Sequence, residues 1–333
     1  MMSLLFFLIA LGILLLEGWL LAGFFVPASD KLLRLSFALP LAAISNVLLF
    51  LIFTIAKIPL LPVWLLIGHG MIIAITALLA GRMPAPDLLK SHDSAGRNAC
   101  SRFVKVVCII LLANIFAFSF IHAVVLPTFS IDSFTNWTMR SEISFYDHAI
   151  AFDRDEARGM AKPQYPFLTH ALQIAANEGQ RVWNDHAANT MTWLFSLSCF
   201  SALFLLLKRL RGMDTALIAV TLIAGIPLLS IHLAQGYGDI HLTEYLLLAL
   251  MSYVLWMEQK HGRYLALSAL FIAGAMWTKS EGLFFGFAPW ALLLLVTAAI
   301  RNTPYRAPIL AIAGAFLLFG LGSLALMTLL KKF

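Results

Sequence analysis

The sequence predicts an all-α polytopic membrane protein with about ten transmembrane helices and one large outer loop that contains two interfacial helices. Of its 333 residues, 61% are hydrophobic and only 12% are charged, and the mean hydropathy is +0.88. A water-soluble domain of this length is less apolar. Runs of about 20 apolar residues, long enough to cross a bilayer as helices, follow one another along the chain.

The apolar runs give the order of the predicted elements. The acid inside the first run, Glu17, is expected to pair with a polar group of another helix. The runs indicate a three-helix segment over 1–80, a cytoplasmic linker over 81–102 and a seven-helix core over 103–333 with an outer loop over 127–188. The ten runs are 3–25, 36–55, 58–80, 103–126, 189–207, 214–233, 240–257, 264–277, 283–300 and 307–329.

Composition also excludes several classes of protein. The net charge of +6 comes from basic residues in short clusters between apolar runs, where they set membrane orientation, so no nucleic-acid partner is expected. The cysteines Cys100, Cys108 and Cys199 have no CxxC spacing and indicate neither a disulfide framework nor a zinc site. The first run lacks a basic leader and a cleavage pattern, and is predicted as a retained helix.

The loops between the runs predict the orientation of the chain. Lys and Arg occur in alternate short loops, which are therefore cytoplasmic. The loop 127–188 and the turns at 236–239 and 277–282 then share the outer face. Within the outer loop, 139–157 and 169–184 have helical spacing of apolar residues, as helices lying along the interface do.

The outer loop concentrates acidic residues, since 8 of the 17 Asp and Glu lie between Asp132 and Asp185. Asp132 stands at the exit of the fourth run, where a carboxylate either accepts a proton from a substrate hydroxyl or caps the segment that follows. Position alone leaves both readings open. Trp137 is predicted as an aromatic anchor at the membrane interface.

Other polar residues of the loop are less specific. The charge run 153–156 has the D-x-D spacing of a metal or sugar-phosphate site, but a solvated charge run is favoured. Arg140, Arg158 and Lys162 have the charge to hold a phosphate. Tyr165-Pro166 predicts a rigid turn, with stacking of Tyr165 on a sugar as a secondary role.

The two outer turns carry further candidates. Asp239, His241 and Glu244 stand at the start of the seventh run, where an acid is either a partner for the helix dipole or part of a site. Lys279 and Glu281 lie two residues apart between apolar runs, so they pair with each other or serve a ligand. The charge of Lys279 suits the phosphate of a lipid-linked substrate.

These segments together resemble the polytopic glycosyltransferases of the GT-C superfamily, which use polyprenyl-phosphate sugars. The resemblance implies a core of seven spanning helices, and an outer loop with an acid just past a helix, the position that Asp132 occupies. It covers about residues 103–330. The segments that carry it are 132–137 with Arg140, Tyr165-Pro166, 236–239 and 277–282.

The implied reaction moves a sugar from a polyprenyl-phosphate donor to a lipid, glycan or protein acceptor on the outer face of a membrane, the bacterial inner membrane. Asp132 would be the base and Asp239 the second catalytic residue, while Lys279 would stabilise the departing phosphate. Some relatives use a divalent metal, but no ligand set here is complete and no cofactor is assigned. The remaining substrate-binding candidates are Arg140, Lys162, Tyr165, His241 and Glu281.

The rival function is transport or flipping of a lipid-linked solute, and a non-catalytic scaffold is the third. Transporters usually show paired repeats and broken helices at mid-membrane. Here the ionisable groups gather at the outer ends of the runs, which favours an enzyme.

Overall fold

The computed structural model describes residues 2–80, 101–151, 165–300 and 306–330, which form helices and no strand. Three short π-helical segments, Ile121–Val125, Ser133–Thr138 and Gly282–Phe287, adjoin α-helices. The α-helices are α1 (Met2–Ala22), α2 (Lys31–Ile55), α3 (Pro62–Ala80), α4 (Arg102–Phe120), α5 (Met139–Asp147), α6 (Leu168–Ala175), α7 (Asp185–Arg211), α8 (Met213–Ala224), α9 (Pro227–Gln235), α10 (Gly238–Gln259), α11 (Gly262–Thr278), α12 (Ala288–Ile300) and α13 (Arg306–Leu330).

The protein is a multi-pass membrane protein. Among the described residues, seven helices are long and apolar enough to cross a membrane, and one bent pair makes an eighth candidate. The total of ten spans stays a prediction, because α11, with 17 residues, and the apolar segment Arg306–Leu318 of α13 are shorter than a typical spanning helix.

The span predicted over 214–233 is wrong as a single straight helix. It consists of α8 and α9, which meet at an angle of 71°. Pro227 is the first residue of α9, and Ile226 before it is extended. Proline lacks the N–H that would continue α8 and keeps the preceding residue out of the helical region, so the chain turns there.

Helices α1–α3, the front helices, share a hydrophobic core with helices that come later in the chain. α2 is central, since most of its residues are buried and it packs against α1, α6 and α7. On the side facing α1, Gly18 lies directly on the backbone of Ala38, so any larger side chain there would separate the two helices. Helices α1–α3 are therefore packed onto helices that come later in the chain, whereas residues 81–100 of the predicted linker lie outside the described residues.

Alternation of helix direction brings the loops together at two ends of the bundle. One end holds the ion pairs of Lys105 with Asp214, at 2.7 Å, and of Arg209 with Asp30. At the opposite end, the backbone N–H of Leu60 donates to the carbonyl of His148 at 2.7 Å. The described residues of the loop 127–188 and the turns at 236–239 and 277–282 belong to this second end.

The long loop contains two helices, α5 and α6, which are shorter than predicted. Every residue of α6 is buried, and its polar side chains have partners: Thr169 lies 3.2 Å from His241, and Gln173 accepts from Ser141 at 2.5 Å. The helix expected to reach 184 ends at Ala175, and Gly179 takes a positive φ of 77° soon after. That these helices lie along the membrane surface stays a prediction.

Candidate active site

Lys279 forms the centre of a charged cluster at the end of α11. Its ammonium lies 2.7 Å from Asp239 Oδ1 and 3.5 Å from Glu281 Oε1. The Lys279 side chain is 14% exposed, against 33% for Asp239 and 39% for Glu281. Burial lowers the pKa of Lys279, but the hydrogen bond to Asp239 and the nearby charges outweigh it, so the pKa lies above its ordinary value. Lys279 is therefore cationic at physiological pH.

Tyr165 and Trp137 connect this cluster to Asp132. The Lys279 ammonium lies 5.6 Å from the centre of the Tyr165 ring, a cation–π contact. The Tyr165 and Trp137 rings stack with centroids 5.7 Å apart. Trp137 in turn donates its indole N–H to Asp132 Oδ2 at 3.2 Å, and Asn136 donates to Oδ1. The structure thus joins Asp132 to Lys279 through two aromatic rings.

The start of α10 meets the loop segment 130–137 directly. A methyl group on Gly238 would run into the Trp137 indole, so the absence of a side chain there lets the ring lie against the helix. Tyr237 bonds Ser130 through their hydroxyls, and Ser133 donates to the Gln235 carbonyl. Asp239, next to Gly238, is thereby brought to the same side as Asp132.

Trp137 was predicted as a membrane anchor, and this prediction is wrong. Its side chain is 1% exposed and stacks on His170 as well as on Tyr165. A tryptophan at a helix exit is typical of both an interface anchor and a buried ring. The residue that makes room for a buried Trp137 ring is Gly238, about a hundred residues later in the chain. No local sequence pattern connects Gly238 to Trp137.

Arg140 and His241 lie behind the cluster. Arg140 is 1% exposed, and its guanidinium donates to the carbonyls of Ala151 at 3.0 Å and Tyr165 at 2.5 Å. Burial lowers the pKa of Arg140 to about 9, which still leaves it protonated at neutral pH. His241 is also 1% exposed and packs against the Phe195 ring, with centroids 4.8 Å apart. Both support neighbouring elements of the site.

Some predicted residues lie outside the described ranges or away from the cluster. Lys162, Arg158 and the charge run 153–156 are outside the described residues. Glu244 is buried with 2% exposure. Within the described ranges, no group of three or more His, Cys, Asp or Glu side chains has the arrangement of a metal site.

Comparison with known families gives a match over part of the chain. Residues 179–323 match the model of the dolichyl-phosphate-mannose-protein mannosyltransferase family. This is a family of GT-C superfamily membrane glycosyltransferases. The predicted resemblance to the GT-C glycosyltransferases is confirmed over this part of the chain. No curated protein and no solved structure match the chain.

The GT-C match covers one half of the cluster and not the other. Asp239, Lys279 and Glu281 lie inside the matched range, whereas Asp132 and Tyr165 precede it. Contacts within the fold, and not the match, connect the two halves: Lys279 with Tyr165, and Trp137 with the start of α10.

Proposed function

We propose that this membrane glycosyltransferase moves a sugar from a polyprenyl-phosphate donor to an acceptor on the outer face of the membrane, with inversion at the anomeric carbon. The family match supports a donor of this type, and mannose, the sugar in the family description, is the first candidate. The observation that carries the proposal is the contact chain from Asp132 to the cation Lys279 at one end of the bundle.

In this proposal Asp132 takes the proton of the acceptor. Each of its oxygens accepts one hydrogen bond, from Asn136 and Trp137, which fixes the carboxylate while lone pairs remain for a substrate hydroxyl. As the proton passes to Asp132, the acceptor oxygen attacks the anomeric carbon and the bond to the phosphate breaks. The electron pair leaves with the polyprenyl phosphate, so a single displacement inverts the sugar.

Lys279 stabilises the negative charge that grows on the departing phosphate. A cation that is 14% exposed interacts with a developing charge more strongly than one in bulk water. In the free protein its partner is Asp239, so a bound phosphate would share or replace that contact. Asp239 is then released toward the acceptor or a bound cation, with Glu281 beside it.

Arg140 and Tyr165 form the support of this arrangement. Arg140 holds the Tyr165 carbonyl, and the Tyr165 ring lies between Trp137 and the Lys279 ammonium. Because Arg140 is 1% exposed, a direct contact with phosphate would require the residues around its guanidinium to move. Its predicted substrate-binding role stays a proposal. The predicted substrate-binding roles of Lys162 and His241 stay proposals.

The break between α8 and α9 favours the second candidate, a transporter or flippase for a lipid-linked solute. Such proteins use broken helices to expose backbone groups to their cargo. After the 71° bend, α9 ends with Gly236 as its C-cap, just before Asp239 of the Lys279 cluster. A flippase would move labelled lipid across the bilayer without changing its sugar, whereas the enzyme would release polyprenyl phosphate.

Transfer assays on Asp132→Asn test the proposed base. The substitution keeps the shape of the side chain but removes its ability to take a proton, so we expect kcat to fall about 10²- to 10⁴-fold. The measurement is sugar transfer from labelled polyprenyl-phosphate mannose by protein reconstituted in liposomes.

The matched control is Asp147→Asn, an exposed acid of the same loop, for which we expect a rate within about twofold of wild type. Normal transfer by a well-expressed Asp132→Asn variant would remove Asp132 from the mechanism.

A further inference from the structure

A cavity lies at the same end of the bundle as the charged cluster. Its volume is about 690 Å³, within the range of small-molecule sites. One wall is the connection from α6 to α7, and the other is the start of α1. Its lining includes Ser3, Phe6, Arg181, Trp183, Asp185 and His186.

The α6–α7 wall is held in one conformation by hydrogen bonds. Asn177 accepts the backbone N–H of Asn184 at 2.8 Å and donates to the carbonyl of Asn184 at 3.3 Å. Asn184 also caps α7 through its side-chain oxygen. The Trp183 backbone N–H donates to the Tyr146 hydroxyl at 3.2 Å. The wall therefore needs little ordering when a ligand binds.

The start of α1 completes the cavity. The Ser3 hydroxyl donates to Gln180 at 2.9 Å and accepts from Asn184 at 3.1 Å. The Phe6 ring packs on Gly179, which has a positive φ of 77° and no room for a side chain. The front helices thus form one wall of a cavity whose other wall lies more than 170 residues later.

The groups that face this cavity suit a carbohydrate. Trp183 is partly exposed, and its indole N–H donates to Asp185 Oδ1 at 2.6 Å, which fixes the ring as a stacking surface. The other Asp185 oxygen and the Arg181 guanidinium form no hydrogen bond with the described residues. His186 donates from Nδ1 to the Val124 carbonyl at 2.8 Å, which leaves Nε2 to accept. The hydroxyl groups of a sugar both donate and accept hydrogen bonds, and so can pair with Asp185, Arg181 and His186.

Residues of the outer loop link the lining of the cavity to the reaction cluster. Pro127, in its lining, is followed by the segment that carries Asp132. Tyr146, which bonds Trp183, lies on α5, whose start follows Trp137 after two residues. At 1.5 Å per residue, this helical path spans on the order of 13 Å. A short oligosaccharide spans a distance of this order.

We propose that this cavity is a saccharide-binding site that holds the glycan part of the acceptor, so that its far end reaches Asp132. The assignment of the ligand as acceptor rests on the proposed function, whereas the binding of saccharide does not. The lining also has apolar residues such as Phe6, but Asp185, Arg181 and His186 supply hydrogen-bonding groups that a saccharide uses and a lipid tail does not.

Saturation-transfer NMR on protein in nanodiscs tests the binding itself, with mannobiose, chitobiose and lactose as probes. We expect at least one of these to bind saturably, and Trp183→Ala to weaken that binding about fivefold or more through loss of the aromatic contact. Arg181→Gln, on the exposed rim, should weaken the same sugar without affecting folding. Trp64→Ala is the matched control, since Trp64 is 43% exposed on α3 and outside the cavity lining.

Absence of binding for all three sugars, or equal binding by wild type and both cavity variants, would overturn the proposal. If Trp183→Ala does not fold, Arg181→Gln decides alone. Lys279→Ala should bind the sugar as wild type does while losing transfer, which separates this site from the reaction. In transfer assays with a glycan acceptor, Arg181→Gln should raise the acceptor KM several-fold with kcat within about twofold.

Discussion

Lys279 combines two properties that a membrane protein rarely keeps together, a partly buried position and a charge. It follows the last residue of α11 in an extended conformation, which directs the chain into the turn before the next helix. Two carboxylates surround it, so the free cluster has one negative charge in excess. Because its pKa is raised, the stabilisation from Asp239 is complete below the ordinary value of 10.5 and is lost only as the pH rises through the raised pKa.

We expect Lys279→Ala to lower kcat/KM about 10²- to 10³-fold, because the phosphate loses its cation and two acids remain beside it. The ratio of wild-type to variant rates should be the same at about pH 6 and about pH 9, since Lys279 stays protonated over that range. Both quantities come from transfer assays with varied donor concentration.

Lys105→Ala is the control for this experiment. Lys105 is also paired with an acid at 2.7 Å, but at the opposite end of the bundle, so its loss should change kcat/KM less than about twofold. Equal effects of the two substitutions would mean that Lys279 acts only through membrane insertion or folding.

The helices show which features of this fold are readable from sequence. Each apolar run corresponds to a helix or a helix pair, because only a helix satisfies its own backbone in lipid. The bend between α8 and α9 was missed, since hydropathy does not change at Pro227 although helix direction does. The burial of α6 was missed because its partners, such as His241 and Ser141, come from separate parts of the chain. The candidate residues of the outer turns were found from charge, but their contacts depend on tertiary packing.

The packing of α10 on the outer loop gives a prediction for Gly238. An added methyl group must push the Trp137 ring away and so shift Asp132, to which the indole donates. We expect Gly238→Ala to lower kcat about tenfold or more, because displacement of a catalytic group by about 1 Å has costs of this order. The measurement is the transfer rate, normalised to protein inserted in the membrane.

Gly262→Ala provides a close comparison, because Gly262 is the first residue of α11 as Gly238 is of α10, and has open space around it. Its rate should equal that of wild type. If both alanine variants keep full activity, the contact of Trp137 with α10 does not position Asp132.

The molecule as a whole is held together by a polar link between its front helices and the outer loop. Glu17 on α1 is fully buried, and accepts from Ser45 on α2 and lies 2.7 Å from His69 on α3. The prediction that Glu17 pairs with another helix is confirmed. The other ring nitrogen of His69 lies 3.8 Å from Glu178, and the next residue, Gly179, lines the cavity between α1 and the α6–α7 connection. One histidine thus connects α1, α3 and the α6–α7 connection.

Removing this histidine should destabilise the whole chain. His69→Ala leaves Glu17 buried with only the Ser45 hydroxyl as a partner, and we expect the free energy of unfolding to fall by about 3 kcal/mol. SDS-induced unfolding in bicelles measures the change. Glu17→Gln combined with His69→Ala should recover much of the loss, because the amide carries no charge into the protein interior. A double variant as unstable as His69→Ala alone would mean that the imidazole stabilises the fold by packing, and that the charge of Glu17 is not what it compensates.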